Sequence, residues 1–182
     1  MKLNASQLRT TEPTAEQIDS IKKRPIYIIL DNVLDTYNVG SIFRLADAVA
    51  AQKVFLCGET LTPPNPRIKK ASISTWKWVE WEYVETAAIA VSKLKNKNEK
   101  LKIIAVEQDA RSIPFDSANY SLPLALVVGN ETHGISPEVL DMVDMIVELP
   151  MFGINTSLNV MVTLGIVLYQ VVAHKSLINE HV

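Results

Sequence analysis

Hydrophobic residues in this chain gather into short, nearly unbroken runs, and between the runs they recur at helical spacing. Ile26 to Leu30, Val54 to Cys57, Leu101 to Val106, Leu124 to Val128 and Met145 to Leu149 are such runs. Apolar runs with no regular polar alternate predict strands covered on both faces. Trp78 to Val84 predicts one more strand, with imperfect alternation. Val39, Ile42, Phe43, Ala46 and Ala50 recur every three or four positions, as do Ala87, Ala90, Val91 and Leu94. Leu158, Met161, Val162, Gly165, Ile166, Tyr169 and Val172 do the same. These stripes predict helices over 38–50, 86–97 and 156–173. Strands alternating with helices predict an α/β domain, a mostly parallel sheet flanked by helices.

Polar punctuation sets the boundaries. Thr14 with Gln17 forms a capping-box pattern, so a short helix carrying Ile18 and Ile21 is expected to end in Lys22-Lys23-Arg24 before Pro25. Basic residues in a last helical turn suit the helix dipole. This divides the chain into an N-terminal helical extension, 1–25, and a main domain, 26–182. Pro63, Pro64 and Pro66 remove backbone donors and predict a loop over 62–66. Glu107 to Leu122 reads as loop with at most one helical turn. Ser136 before Pro137 reads as a helix N-cap. Asn38 and Ser157 read as caps in the same way, and Arg44 as the ion-pair partner of Asp47. Asn159 has no such simple account, because asparagine is a poor residue inside a helix.

Composition narrows the class. A chain of 182 residues suits one domain with a short appendage. No apolar run reaches the roughly 18 residues of a membrane span, and the first eleven residues carry no apolar signal core. The single cysteine, Cys57, has no intrachain partner and reads as a small buried hydrophobe. A cytoplasmic protein is expected. With a net charge of −2, no global field draws in nucleic acid, so contacts of that kind fall to local basic groups. Arg67, Lys69 and Lys70 form one such group, and Lys22, Lys23 and Arg24 another. Trp76, Trp78 and Trp81 lie near the first group and are expected to pack in the core rather than stack on bases.

Several chemistries are excluded. No Gly-x-Gly-x-x-Gly follows the first strand and no Gly-x-x-x-x-Gly-Lys-Ser/Thr occurs, so the dinucleotide and phosphate-loop fingerprints both fail. Cys57, His133, His174 and His181 show no metal-ligand spacing, and no metal is expected. His174 and His181 read as solvated residues near the end of the chain.

Three motifs remain, each following an expected strand. They are Asn38-Val39-Gly40-Ser41-Ile42-Phe43-Arg44, Gly129-Asn130-Glu131-Thr132-His133-Gly134, and Pro150-Met151-Phe152-Gly153 with Ser157-Leu158-Asn159-Val160. Strand ends that open into glycine-bearing loops side by side can wall a small-molecule pocket, with glycine letting backbone groups approach the ligand. Taken singly, each polar residue here has a plain structural use. Taken together and in this order, the motifs resemble the SpoU family of RNA ribose 2′-O-methyltransferases, similar to the TrmH enzymes, within the SPOUT superfamily. The resemblance covers about Ile26 to Val172.

The resemblance implies a SPOUT fold with a C-terminal trefoil knot, which no pattern in the sequence predicts. It implies S-adenosyl-L-methionine as cofactor, held largely by backbone groups around Val106, Glu107, Gly129, Leu149, Met151 and Leu158. It implies a homodimer that brings Arg44 of one subunit near the other's cofactor, with Asn38, Glu131, Ser157 and Asn159 as the surrounding catalytic cluster. Arg67, Lys69 and Lys70 become RNA-contacting residues. Two segments depart from the family pattern. Met161 and Thr163 stand where small residues are common, away from the chemistry, and Ala48 to Ala51 lacks a frequent Phe-Gly. With no separate RNA-binding domain evident, tRNA is the expected substrate. An rRNA substrate and a non-catalytic RNA-binding or assembly module are the alternatives.

Overall fold

The computed structural model describes Leu3 and residues 7–173. Seven strands form one sheet: β1 (Arg24–Asp31), β2 (Ala51–Cys57), β3 (Trp81–Val84), β4 (Lys102–Val106), β5 (Ile113–Pro114), β6 (Leu124–Gly129) and β7 (Met145–Glu148). Their order is β3-β2-β1-β6-β4-β7-β5, and every neighbouring pair is parallel. The helices are α1 (Ala15–Asp19), α2 (Thr36–Ala48), α3 (Pro66–Ser72), α4 (Ala87–Lys97), α5 (Pro137–Met142) and α6 (Val160–Ala173).

Strand periodicity sends alternate side chains into two cores. Ile28, Leu30, Ile104, Val106, Leu126 and Val128 join Phe43 of α2, Ile68 of α3 and Leu168 of α6 on one face. Ile29, Phe55, Ile103, Ala105 and Val127 join Val91 and Leu94 of α4 and Val139 of α5 on the other. Burial on both faces is why these strands carry no polar alternate. Each fully buried aliphatic side chain contributes about 1.5–3 kcal/mol through removal from water. Cys57 lies fully buried among them. Desolvation, with smaller contributions from Asp31 and Glu82, pushes its thiol up to about 12, so it packs as a hydrophobe.

Several boundaries differ from the sequence-based expectation. The Thr14–Gln17 capping box forms, with Thr14 N donating to Gln17 Oε1 at 2.9 Å, but α1 ends at Asp19. Lys22 and Lys23 therefore lie beyond it, and Arg24 already belongs to β1, because Pro25 biases the residue before it towards extended backbone. Asp35, not Asn38, caps α2, its Oδ1 accepting from Tyr37 N at 2.8 Å. Pro66 to Ser72, directly after the proline-rich loop, is helical, because Asn65 Oδ1 accepts from Arg67 N and Ile68 N and Pro66 occupies the first turn.

The expected strand at Trp78 starts only at Trp81, after a 3-10 turn over Thr75–Lys77. Trp78 Nε1 instead donates to Asp47 Oδ1 at 2.7 Å. That bond occupies Asp47, which forms no ion pair with Arg44. Trp76, Trp78 and Trp81 pack, partly buried, against the first core. α6 begins at Val160 rather than near Thr156, and Asn159, not Ser157, caps it. His174 and His181 lie outside the described residues. Among the described residues no helix is long and apolar enough to cross a membrane.

Candidate active site: an acidic cleft and a basic cleft

Because all strands run parallel, their C-terminal ends share one edge of the sheet. The strand order reverses between β1 and β6, and ligands of open α/β sheets settle in the crevice at such a reversal. A cleft of about 560 Å³ opens beside that reversal, at the C-terminal ends of β4, β6 and β7, within the usual range for small-molecule sites. Val106, Glu107, Gly129, Leu149, Met151 and Leu158 all line it, together with Glu131, Ser157 and Asn159. Thr163, expected to lie away from the chemistry, lines it too.

Two glycines that line this cleft are also required by the backbone packing around them. A Cβ on Gly129 would meet the carbonyl carbon of Gly134 at 2.2 Å. One on Gly134, whose φ is +70°, would meet Glu107 Oε2 at 2.4 Å. These two glycines let one loop close on itself and on β4. A Cβ on Gly153, by contrast, would meet nothing within 4 Å.

A hydrogen-bonded chain connects α2 to both loops. Asn38, 5% exposed, donates from Nδ2 to Glu131 Oε1 at 2.9 Å. Asn159 Nδ2 donates to Asn38 Oδ1, also at 2.9 Å. Glu131 further accepts from Leu34 N at 3.1 Å and Asp35 N at 3.2 Å. Partial burial pushes its carboxyl upward. The bond from Asn38 and those from the backbone N–H groups of Glu131, Leu34 and Asp35 outweigh it, holding the group below the ordinary carboxylate range. Glu131, although exposed, is thus an anion anchored by its hydrogen bonds.

Asn130, in the second motif, shapes its own loop, which carries Glu131. Its Oδ1 accepts from Thr132 N and His133 N, and its Nδ2 donates to Asn32 O at 2.9 Å. Its adjacency to Gly129 and its short amide, which favours such turns, were the available signal.

Arg44 does not reach the first cleft within one chain. Tyr37, Ser41 and Arg44 recur at i, i+4 and i+7 on α2, and this face borders a second cleft of about 820 Å³. Lys69 and Lys70 of α3 line the same cleft, while Arg67 is exposed on that helix outside the lining. Arg44 has no ion pair among the described residues. The two clefts are opposite in character. Among the described residues, the first is lined by Glu107, Glu131 and Glu148 and by no Lys, Arg or His. Among them too, the second is lined by Arg44, Lys69 and Lys70 and by no Asp or Glu. Among the described residues no group of three or more His, Cys, Asp or Glu is placed to hold a metal ion.

Known proteins share this fold. The tRNA (guanosine(18)-2′-O)-methyltransferase of Aquifex aeolicus is 33% identical over 153 residues, covering 82% of this chain and 69% of that protein. The crystal structure of the A. aeolicus TrmH/SpoU tRNA modifying enzyme superposes with a TM-score of 0.76 at 28% identity, covering 96% of this chain and 85% of that one. An AdoMet-bound rRNA methyltransferase from Sinorhizobium meliloti gives a TM-score of 0.76 at 26% identity, covering 92% of this chain and 60% of that one. The sheet and its helices are those of the SPOUT fold seen in these neighbours. Residues 25–169 match the SpoU rRNA Methylase family, and with most of its length inside that match the chain belongs to this family.

Proposed function

We propose that the protein is an S-adenosyl-L-methionine-dependent methyltransferase acting on a ribose 2′-hydroxyl of RNA, with tRNA as the preferred substrate. The observation that carries this reading is the pair of clefts of opposite character. A site where three carboxylates gather suits a positively charged sulfonium, and a site where three cations gather suits RNA phosphates. The tRNA preference draws on the A. aeolicus relative, and the S. meliloti neighbour keeps rRNA as the alternative.

When bound, the cofactor supplies a methyl group on cationic sulfur, which departs as a neutral thioether. The chain's residues have two remaining tasks, to orient the hydroxyl and to let its proton go. Ser157 and Asn159, on the cleft wall, orient the hydroxyl. Asn38 holds Asn159, and Glu131 holds Asn38 in the tautomer-like orientation with its oxygen towards Asn159. Glu131 is a poor base, because four N–H groups stabilise its charged form. It acts as a positioning residue. Arg44 clamps the phosphate beside the target ribose and stabilises charge developing on the oxygen. The proton leaves either to a deprotonated Arg44 or by way of that phosphate.

Arg44 borders a different cleft from the one that would hold the cofactor, so a homodimer is part of the proposal. The apolar row Val162, Ile166 and Tyr169 on α6, 40%, 38% and 54% exposed, supports pairing through that helix. A trefoil knot formed by the C-terminal loops, a methyltransferase domain over 26–182 behind a short extension, and a cytoplasmic location where RNA is modified complete the reading. Calorimetric titration of the purified protein with S-adenosylhomocysteine tests it. Saturable binding at one site per chain, retained in Arg44→Ala, is expected. No heat of binding in the wild-type protein would overturn it.

A further inference from the structure

Two consecutive residues leave β4 and reach in opposite directions across the first cleft. Glu107 turns to the loop after β6, where its Oε2 accepts from Ile135 N at 3.0 Å. Its Oε1 accepts from Gln108 N at 2.9 Å, so both carboxylate oxygens serve the backbone. Gln108 turns to the loop after β7, and its Nε2 donates to Thr156 O at 2.5 Å. Thr156 immediately precedes Ser157, Leu158 and Asn159 on the cleft wall.

Residues 156–159 precede α6 and belong to no regular element. Asn159 is fixed at the helix by its bond to Met161 N. The stretch before it has the Gln108 bond and a local one, Ser157 N to Asn155 Oδ1 at 3.2 Å. Among the described residues, the Gln108 bond is therefore the long-range tie between 155–158 and the sheet. We infer that Gln108 is a positioning residue that sets the width of the cofactor cleft by tethering Thr156 to the end of β4, while Glu107 fixes the opposite loop. The inference rests on the cofactor assignment made above.

One hydrogen bond of this kind is worth about 0.5–1.5 kcal/mol, so its loss should weaken binding about 2- to 12-fold. Gln108 is exposed, which keeps the core intact when it is changed. The test compares wild type with Gln108→Ala and Gln108→Glu by two measurements. One is the dissociation constant for S-adenosylhomocysteine. The other is amide hydrogen exchange across 155–159 in the free protein. Both variants should raise the dissociation constant several-fold. Gln108→Glu should be the worse, because its carboxylate faces the Thr156 carbonyl with no donor. Exchange across 155–159 should quicken in both, with exchange in β4 and β6 unchanged. Wild-type affinity together with wild-type exchange in both variants would overturn the inference. A wild-type protein that binds no S-adenosylhomocysteine would instead defeat the cofactor assignment, and the exchange result would still decide the tether.

Discussion

Asn38 and Asn159, 121 positions apart in the chain, meet through one hydrogen bond of 2.9 Å between their side-chain amides. Asn159 uses its other polar atom as well, because its Oδ1 caps α6 at Met161 N. One residue thus starts a helix and ties that helix to the Asn38–Glu131 pair.

Two substitutions separate those duties. Asn159→Ala removes both, and should cost about 1 kcal/mol of stability for the lost cap along with most of the methyl transfer. Asn159→Asp keeps the cap acceptor but cannot donate to Asn38, and sets a second carboxylate beside an amide already committed to Glu131. It should melt close to wild type while losing at least about tenfold in kcat. Thermal denaturation and methylation rates check the pair. Full activity in Asn159→Asp would show that the bond to Asn38 has no part in the reaction.

Glu131 gives a pH signature. Its folded carboxyl lies below the ordinary value, held there against partial burial by the N–H groups of Asn38, Leu34, Asp35 and its own backbone. A depressed carboxyl stabilises the folded state above the unfolded value, about 4.3 for glutamate, and that stability fades as pH falls through the folded value. The advantage of wild type over Glu131→Gln in urea unfolding should be constant from pH 7 to about pH 5 and shrink below about 4.3. An advantage that held level down to pH 3 would contradict this.

Ala50 carries a strained backbone, with φ at +52°, between α2 and β2. This is the segment noted for lacking a family Phe-Gly. An L-residue with a Cβ pays about 1–2 kcal/mol in the left-handed region, and glycine avoids that at some entropic cost in the unfolded chain. Ala50→Gly should therefore raise stability by about 0.5–1 kcal/mol. Gly129→Ala is the opposite case, since its Cβ would press on backbone at 2.2 Å, and should cost more than about 2 kcal/mol. Denaturant midpoints report both. Equal midpoints for the two variants would refute the backbone argument.

The parts of the molecule visible in the sequence are those fixed by repeating patterns. β1, β6 and the stripe of α6 were legible because burial on both faces demands apolar runs and one-sided helices repeat every three or four residues. α3 was hidden because Pro63, Pro64 and Pro66 announce a loop, while the side chain that starts the helix is the single Asn65 between them. The site residues were legible as motifs but not as bonds. Nothing in the spacing of Asn38, Glu131 and Asn159 says that one amide bridges the other two, since that contact exists only after β1 and β6 pair and α6 folds back. The Glu107–Gln108 ties were equally invisible, because each depends on loops more than 25 residues away along the chain.

The function turns on where a methyl group ends up and which side chain its transfer needs. Purified protein would be incubated with S-adenosyl-L-methionine carrying a labelled methyl and with unmodified tRNA and rRNA, and the RNA then digested to nucleosides for mass spectrometry. The predicted result is one 2′-O-methylated nucleoside formed by wild type, with tRNA as the better acceptor, and none by an Arg44→Ala variant that still binds S-adenosylhomocysteine. Label on a base rather than a ribose, or equal ribose methylation by Arg44→Ala, would contradict it.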